Sequence, residues 1–212
     1  MAGYGAFAHS PSGSPHRTAY APAMLDSFRR AYDLLGAFAS DPQSTSFVET
    51  VSALLASRFR AGSKVLICGN GGSLADAVHF AEELTGRFRA DRPPLPAIAI
   101  AEPGHITCTA NDYGFDRVFS RGVEALGRDG DVLIALSTSG NSTNIGLAVE
   151  AARQRGLKTV ALLGKGGGRL RGGCDHEIIV PGETADRIQE IHMLVLHVLV
   201  ERVEVALGYA KS

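Results

Sequence analysis

Apolar runs and helical stretches alternate along most of this 212-residue chain, and that alternation limits its fold more than any other feature. Five short runs, each bounded by glycine or proline, have the length and composition of buried strands. The predicted strands are Lys64 to Cys68, Ala97 to Ala101, Val132 to Leu136, Thr159 to Leu163 and Glu177 to Val180. Helices are predicted between them at Ser73 to Phe88, Phe115 to Leu126 and Ser142 to Arg155. We therefore expect an α/β fold, an αβα sandwich around a five-stranded parallel sheet.

The two ends of the chain predict its domain organisation. Residues 1–22 are rich in Gly, Ala, Ser and Pro without apolar period, so we expect a flexible tail before a single domain at 23–212. Two helices, about Met24 to Phe38 and Ser46 to Phe59, precede the first strand. The last predicted helix, Asp186 to Ala206, is apolar over a wide arc, which is typical of a central helix or of one packed on another subunit. We predict an oligomer whose interface includes this helix and the two N-terminal ones.

Charge and composition exclude several classes of protein. The formal net charge is -1 and no long Lys/Arg run occurs, so neither nucleic acid nor an anionic membrane surface is an expected partner. The sequence contains neither an apolar run of membrane-spanning length nor a signal-peptide pattern. The three cysteines show no metal-type pairing and are interpreted as reduced thiols. We expect a cytoplasmic protein.

A glycine-rich turn follows the first predicted strand. Asn70, Gly71, Gly72 and Ser73 lead directly into a helix, where glycines let the backbone approach a ligand and the helix start offers free amide donors. This arrangement suits a phosphate or a sugar oxygen. A tight strand-to-helix connection without a ligand explains the motif equally well.

A second turn follows the third predicted strand and is rich in hydroxyls. Ser137, Thr138, Ser139 and Ser142 surround Gly140 and Asn141 just before the next helix. Hydroxyls and main-chain amides at a helix start bind an anion without a basic side chain. The alternative is that Ser142 only caps the helix; the density of serines favours phosphate binding.

Two pairs of side chains at helical spacing are candidate metal or substrate ligands. His79 and Glu83 are four residues apart and share a helix face, although such a pair is often no more than a surface hydrogen bond. Gln189 and His197 are eight residues apart on the last helix, about 12 Å along its axis. One ion reaches both only between extended side chains, or the ligands come from different copies of the chain.

Three further sites have competing interpretations. Asn111 and Asp112 stand in a turn-forming sequence and either bind sugar hydroxyls or only form the turn. Asp186 either caps the last helix or contacts substrate. His192 lies off the face of Gln189 and is interpreted as a packed or interfacial histidine.

Five of these motifs occur together, at 69–73, 79–87, 111–115, 137–142 and 185–192. In this order they make the chain resemble the phosphoheptose isomerases (sedoheptulose-7-phosphate isomerases) of the sugar isomerase, or SIS, domain family, from about Leu25 to Leu207. The resemblance implies conversion of sedoheptulose 7-phosphate to D-glycero-D-manno-heptose 7-phosphate, the first step of bacterial ADP- or GDP-heptose biosynthesis for surface glycans such as lipopolysaccharide. It also implies a homotetramer with active sites between subunits.

The resemblance carries roles over to individual residues. One Zn²⁺ per subunit would be held by His79, Glu83, Gln189 and His197. The substrate would contact Glu83 and a wider set: Asn70, Gly71, Gly72, Ser73, Asn111, Asp112, Ser137, Thr138, Ser139, Ser142, Asp186 and Gln189. Aldose–ketose exchange needs a base and an acid, which we assign to Glu83 and His197.

Two rival functions remain open. Some SIS proteins are non-catalytic regulators, including tetramers that bind the bacterial replication initiator, and these look altered at positions matching Glu83 and His197. The other rival is an isomerase for a different sugar phosphate. Conversion of sedoheptulose 7-phosphate separates these possibilities.

Overall fold

The structure of the protein, a computed structural model, describes residues 17–211, with side chains from Met24 onward. Residues 1–16 of the predicted tail lie outside this range. The first helix, α1, spans Arg17–Ser40 and so begins before the expected start at Met24. Its first turns are rich in alanine, which favours a helix without creating the apolar period that the prediction used.

The chain divides into two compact units between Asp33 and Leu34, within α1. In the first unit, Leu25, Phe28 and Tyr32 are exposed at 65%, 70% and 75%. These residues recur at helical spacing and form one apolar stripe. The second unit begins at Leu34 and contains the sheet and all the later helices. A single domain from residue 23 stays a prediction.

Five parallel strands form one sheet in the order β2-β1-β3-β4-β5. Their bounds are β1 Val65–Gly69, β2 Ala97–Ala99, β3 Val132–Ser137, β4 Lys158–Gly164 and β5 His176–Val180. Val65 of β1 is in register with Ala97 on one side and Val132 on the other. The predicted α/β fold with a five-stranded parallel sheet is confirmed, and each strand lies within about two residues of its expected bounds.

Six helices follow α1. They are α2 Pro42–Arg60, α3 Gly72–Thr85, α4 Pro103–Tyr113, α5 Val118–Leu126, α6 Thr143–Gln154 and α7 Ala185–Leu207. Short 3₁₀ segments occur at Phe115–Arg117 and Lys165–Leu170. No helix within residues 17–211 has the length and apolarity needed to cross a membrane.

Alternate strand residues bury themselves on opposite faces of the sheet. Val65 and Ile67 pack with α2, α3 and α7 on one face, whereas Leu66 and Cys68 pack with α5 and α6 on the other. The wide apolar arc of α7 is mostly covered within its own chain, because this helix lies centrally against α2 and α3. Leu194 is still 38% exposed and borders an apolar groove of about 390 Å³ with Leu35 and Val48.

Candidate active site

The two predicted ligand-binding turns meet at the carboxyl edge of the sheet. In the sheet, β2 lies on one side of β1 and β3 lies on the other, so the strand order reverses direction at β1. Such a reversal opens a crevice between neighbouring connections, the usual ligand position in open α/β sheets. The turns after β1 and β3 therefore form the two walls of one candidate site.

The turn after β1 depends on its glycines. Gly71 has φ +56° and ψ −121°, a conformation open to glycine but strained for other residues. A Cβ on Gly69 would lie 2.7 Å from the Cβ of Ser73, so the turn has no room for a side chain there. Gly71 is also the N-cap of α3, and no side chain caps this helix start. The Ser73 and Leu74 amides bond the carbonyls of Asn70 and Gly71, so the Gly72 amide is the one in this first turn that is left for a ligand.

The turn after β3 is held by its own hydroxyls. Ser137 Oγ accepts a hydrogen bond from the Gly140 amide at 3.1 Å, and Ser139 Oγ accepts one from the Asn141 amide at 3.2 Å. Ser142 occupies the N-cap of α6 but makes no side-chain capping bond. Its hydroxyl lies 3.5 Å from that of Ser137. The alternative in which Ser142 only caps the helix is therefore not what the structure shows.

A glycine-rich loop, Lys165–Leu170, presses against the hydroxyl turn. A Cβ on Gly140 would lie 1.8 Å from the carbonyl oxygen of Gly167, so only glycine fits at this approach. Arg169 of the loop donates its guanidinium to the Asn141 carbonyl at 2.5 Å. The serine motif contains no basic residue, yet the fold places Arg169 beside it. Sequence reasoning missed this cation because the contact spans 28 residues.

His79, Glu83 and His197 converge where α3 packs on α7. Glu83 Oε1 lies 3.3 Å from His79 Nε2 and 3.5 Å from His197 Nε2. The two imidazole rings pack edge to face with centroids 5.2 Å apart, and Phe88 stacks on His197. The carboxylate from an early helix and the imidazole from the last helix therefore face each other within one chain.

These three residues fit a metal ion. Their ligand atoms all lie within 4.8 Å of one another, and two imidazoles with a carboxylate are a donor set that suits zinc. Glu83 Oε2 is buried without a hydrogen-bond partner among residues 17–211. A buried carboxylate oxygen is costly without a partner, and a bound cation removes that cost.

Gln189 contacts the glycine-rich turn after β1. Its Nε2 is 3.4 Å from Ser73 Oγ, and its carboxamide packs on Gly72, where a Cβ would lie 2.7 Å away. Its role as a metal ligand stays a prediction.

Asn111 and Asp112 are not in a turn, which corrects the sequence interpretation. They form the last turn of α4, which Gly114 ends. A helix forms here because Glu102 caps it and Pro103 occupies its first turn. In the part of the chain that is described, their side chains bond only each other and Cys108. This protomer alone does not bring them to the other site residues.

Asp186 is not the N-cap of α7, a position that Thr184 occupies without a side-chain capping bond, whereas His192 is packed in the core as predicted. Asp186 is exposed in the first turn of α7, where a hydrogen bond from the Thr184 side chain and one from the Arg187 amide hold its pKa below the ordinary value. His192 is fully buried and its Nε2 lies 3.0 Å from the Leu163 carbonyl oxygen. Burial lowers the pKa of His192 to about 4, only partly opposed by that bond, so this imidazole is neutral in the core.

Besides Arg169, three polar residues near the candidate site were missed from the sequence. Asn144 pairs with Asn70 across the two turns. Asp76, one helical turn before His79, has a pKa raised by burial and partly lowered again by His79. Arg92 is buried, donates to the Glu83 carbonyl at 2.6 Å and pairs with Glu204 at 2.9 Å. The i, i+3 spacing of Asp76 and His79 could have indicated Asp76. Asn144 and Arg92 could not be found in this way, because their partners Asn70 and Glu204 are 74 and 112 residues away in sequence.

Comparison with known proteins places this architecture in a family. The SIS domain model matches residues 29–164. A phosphoheptose isomerase of Fusobacterium nucleatum is 55% identical over 181 residues, which cover 85% of this chain and 93% of that protein. The chain belongs to the phosphoheptose isomerases of the SIS domain family.

Solved phosphoheptose isomerases share the fold over nearly the whole domain. The structure from Neisseria gonorrhoeae is 36% identical with a TM-score of 0.83, and the alignment covers 88% of this chain and all of that one. The structure from Francisella tularensis is 35% identical with a TM-score of 0.84, covering 89% of this chain and all of that one. The sheet and its site-bearing turns thus belong to a fold that other phosphoheptose isomerases share.

Proposed function

We propose that the protein converts sedoheptulose 7-phosphate to D-glycero-D-manno-heptose 7-phosphate, the first step toward activated heptose. The observation that carries this proposal is the 3.5 Å approach of Glu83 and His197, in a chain whose α3 and α6 starts have no side-chain cap. We assign the base and the acid to this pair, and anion binding to the amides and hydroxyls of the two turns. Family membership supplies the substrate class. The cytoplasmic location predicted from the sequence remains part of the proposal.

The reaction moves one proton between neighbouring carbons. A base removes a proton from C1 of the ketose while an acid protonates the C2 oxygen, which gives an enediol. Loss of the proton from the C1 oxygen and return of a proton to C2 then give the aldose. The site must provide both groups and hold the oxygens in place.

Glu83 has one oxygen suited to each of two tasks. Oε1 faces both imidazoles, whereas Oε2 has no partner among the described residues. We assign proton removal to Oε2 and ligation to Oε1, so that the carboxylate need not leave the cluster to act as base. His197, stacked on Phe88, then donates to the C2 oxygen.

A zinc ion, one per subunit, belongs to this proposal. His79, Glu83 and His197 would hold it, and when bound it would polarise the substrate carbonyl. We assign Gln189 as a further ligand from the same or another subunit. Zinc content measured by mass spectrometry should fall in His79→Gln, a change outside the proposed proton transfers.

The phosphate is assigned to the hydroxyl turn, Ser137 to Ser142, with Ser73 at the start of α3. The α3 and α6 helix starts add positive partial charge and amide donors. Arg169 adds a full charge beside the turn through its bond to Asn141. The turn after β1, with Asn70, Gly71 and Gly72, is assigned to the sugar, together with Asp186 near the start of α7.

We propose that a homotetramer completes the site. Asn111 and Asp112 bond only each other and Cys108 in the described chain, so their assigned sugar contacts need another subunit. The exposed stripe of Leu25, Phe28 and Tyr32 is the kind of apolar surface that a neighbouring copy covers.

Proton NMR of the aldose anomeric signals tests the enzyme. Zinc-loaded protein should convert sedoheptulose 7-phosphate, and Glu83→Gln should lose about 10²- to 10⁴-fold in kcat, as expected for removal of a general base. Glu82→Gln is the matched control because Glu82, the preceding residue on the same helix, is exposed and forms no ion pair with either histidine.

Three outcomes contradict this proposal in whole or in part. No conversion by the zinc-loaded wild type excludes the isomerase activity, and conversion of only a different ketose phosphate changes the substrate. Wild-type rates in Glu83→Gln, with zinc content unchanged, remove Glu83 as the base.

A further inference from the structure

We infer that Asn144 is a positioning residue that fixes the substrate site by locking Asn70 through a reciprocal amide pair. Asn70 Nδ2 donates to Asn144 Oδ1 at 2.9 Å, and Asn144 Nδ2 donates to Asn70 Oδ1 at 2.8 Å. The inference rests on the proposed function, because the two turns that the pair joins are the proposed sugar and phosphate walls.

The location of the pair makes it a link between the two turns. Asn70 lies on the turn between β1 and α3, and Asn144 lies in the first turn of α6, two residues after Ser142. Asn144 is only 3% exposed. A planar, two-bond contact fixes both separation and orientation, which a single hydrogen bond does not.

The pair also changes the role expected for Asn70. Both its carboxamide oxygen and its nitrogen are already bonded to Asn144, so its amide plane is set by the protein before substrate arrives. Such preorganisation aids binding because no rotamer has to be ordered at that moment. Asn70 therefore acts through its link to Asn144 more than as an independent ligand of the sugar.

The link should affect binding more than chemistry. Glu83 and His197 lie on α3 and α7, and neither bonds Asn70 or Asn144. Loosening the pair lets the proposed sugar and phosphate walls move relative to each other. KM and the inhibition constant for inorganic phosphate should both rise, while kcat stays within about threefold of the wild type.

A double-mutant cycle tests this inference with Asn70→Ala, Asn144→Ala and the double variant. Each single variant should raise KM about tenfold, and the double variant should raise it no further than the more impaired single one. A loss in the double variant equal to the product of the two single losses overturns the pairing. An unchanged KM in Asn144→Ala overturns it as well.

Matched controls separate positioning from folding. Thr159→Val removes a fully buried hydroxyl that bonds Asp175 at the opposite edge of the sheet, and it should lower the unfolding temperature without changing KM. If Asn144→Ala does not fold, Asn144→Ser takes its place in the cycle. A rise in KM for Thr159→Val, matching that of the Asn144 variants, shows that general destabilisation is the cause and overturns the inference.

The cycle is also measured by titration calorimetry with inorganic phosphate. If the wild type shows no turnover, the proposed isomerase activity is rejected. The coupling energy measured in phosphate binding still tests whether Asn70 and Asn144 act as a pair. Additive changes in phosphate affinity, or wild-type protein that binds no phosphate, overturn the inference.

Discussion

The helices of this protein begin in two different ways. Asp41 caps α2 by accepting from the Gln43 amide at 2.9 Å, and Glu102 caps α4 by accepting from the amides of Gly104 and His105. By contrast, α3 begins at Gly71 and α6 at Ser142 without any side-chain capping bond. A carboxylate at a helix start occupies its amides and offsets its positive partial charge, whereas an uncapped start keeps both.

The contrast is sharpest at a single edge of the sheet. Helices α3, α4 and α6 all follow the carboxyl ends of strands, namely β1, β2 and β3. Of these three helices, α3 and α6 have no side-chain cap, whereas α4 has one. The strands that precede α3 and α6 are β1 and β3, which are neighbours where the strand order reverses. An uncapped start therefore distinguishes the two helices of the candidate site from α4, although α7, which follows β5, also begins without a side-chain capping bond.

Giving α6 a cap of its own should produce the largest effect. In Ser142→Asp the new carboxylate occupies the helix amides and repels the substrate phosphate. Two unit charges 4 Å apart interact by about 4 kcal/mol at an effective dielectric of 20, so we expect kcat/KM to fall at least about 100-fold.

Ser142→Ala is the milder control for that change. It removes one hydroxyl without adding charge, and a fall of about tenfold is expected. Thermal unfolding should show Ser142→Asp as stable as the wild type, since Asp is a favourable N-cap. A normal KM in Ser142→Asp contradicts the phosphate assignment.

Removing the cap of α2, a helix start to which no ligand is assigned, should affect stability alone. Asp41→Ala deletes the bond to the Gln43 amide at the start of α2 and should lower the free energy of unfolding by about 1 kcal/mol. Urea denaturation measures that loss, and steady-state kinetics should show an unchanged kcat/KM. Activity that falls as far as in Ser142→Ala means that the two kinds of helix start are not functionally distinct.

The smallest effect is the pH dependence of the α4 cap. Hydrogen bonds from the Gly104 and His105 amides hold the pKa of Glu102 below its ordinary value of 4.5. The stabilisation is therefore complete above that value and disappears as pH falls through the lower, folded-state pKa. The difference in unfolding free energy between wild type and Glu102→Gln should be positive at pH 7 and shrink below about pH 4.5. A difference that is the same at pH 3 and pH 7 contradicts this account.

Local pattern was enough to predict most of the fold. The five strands are visible because each is a short apolar run between glycines or prolines, a signal that needs no knowledge of distant residues. Helix α4 was missed because its sequence, from Pro103 to Tyr113, is mostly polar: only Thr109 is buried, and only Ile106 and Ala110 pack half-buried on the core. Its cap and its ending glycine were the only local signals.

The site was predictable only in part. The spacing of His79 and Glu83 placed them on one helix face, but nothing local could bring His197 to them; that expectation came from the family resemblance. Asn144 and Arg169 meet their partners only after the sheet has assembled, so no periodicity or motif marks them. The position of Gln189 beside Ser73 likewise depends on how α7 packs on α3.

The buried Arg92 limits how Glu83, the proposed base, can move. Its guanidinium holds the backbone carbonyls of Glu83 and Leu84 at the end of α3 and is itself tied to Glu204 on α7. With the main chain held in this way, the Glu83 carboxylate can move only by rotation about its own side-chain bonds. Under the proposed mechanism, Glu83 would therefore collect and return the proton by rotating its side chain while α3 stays in place.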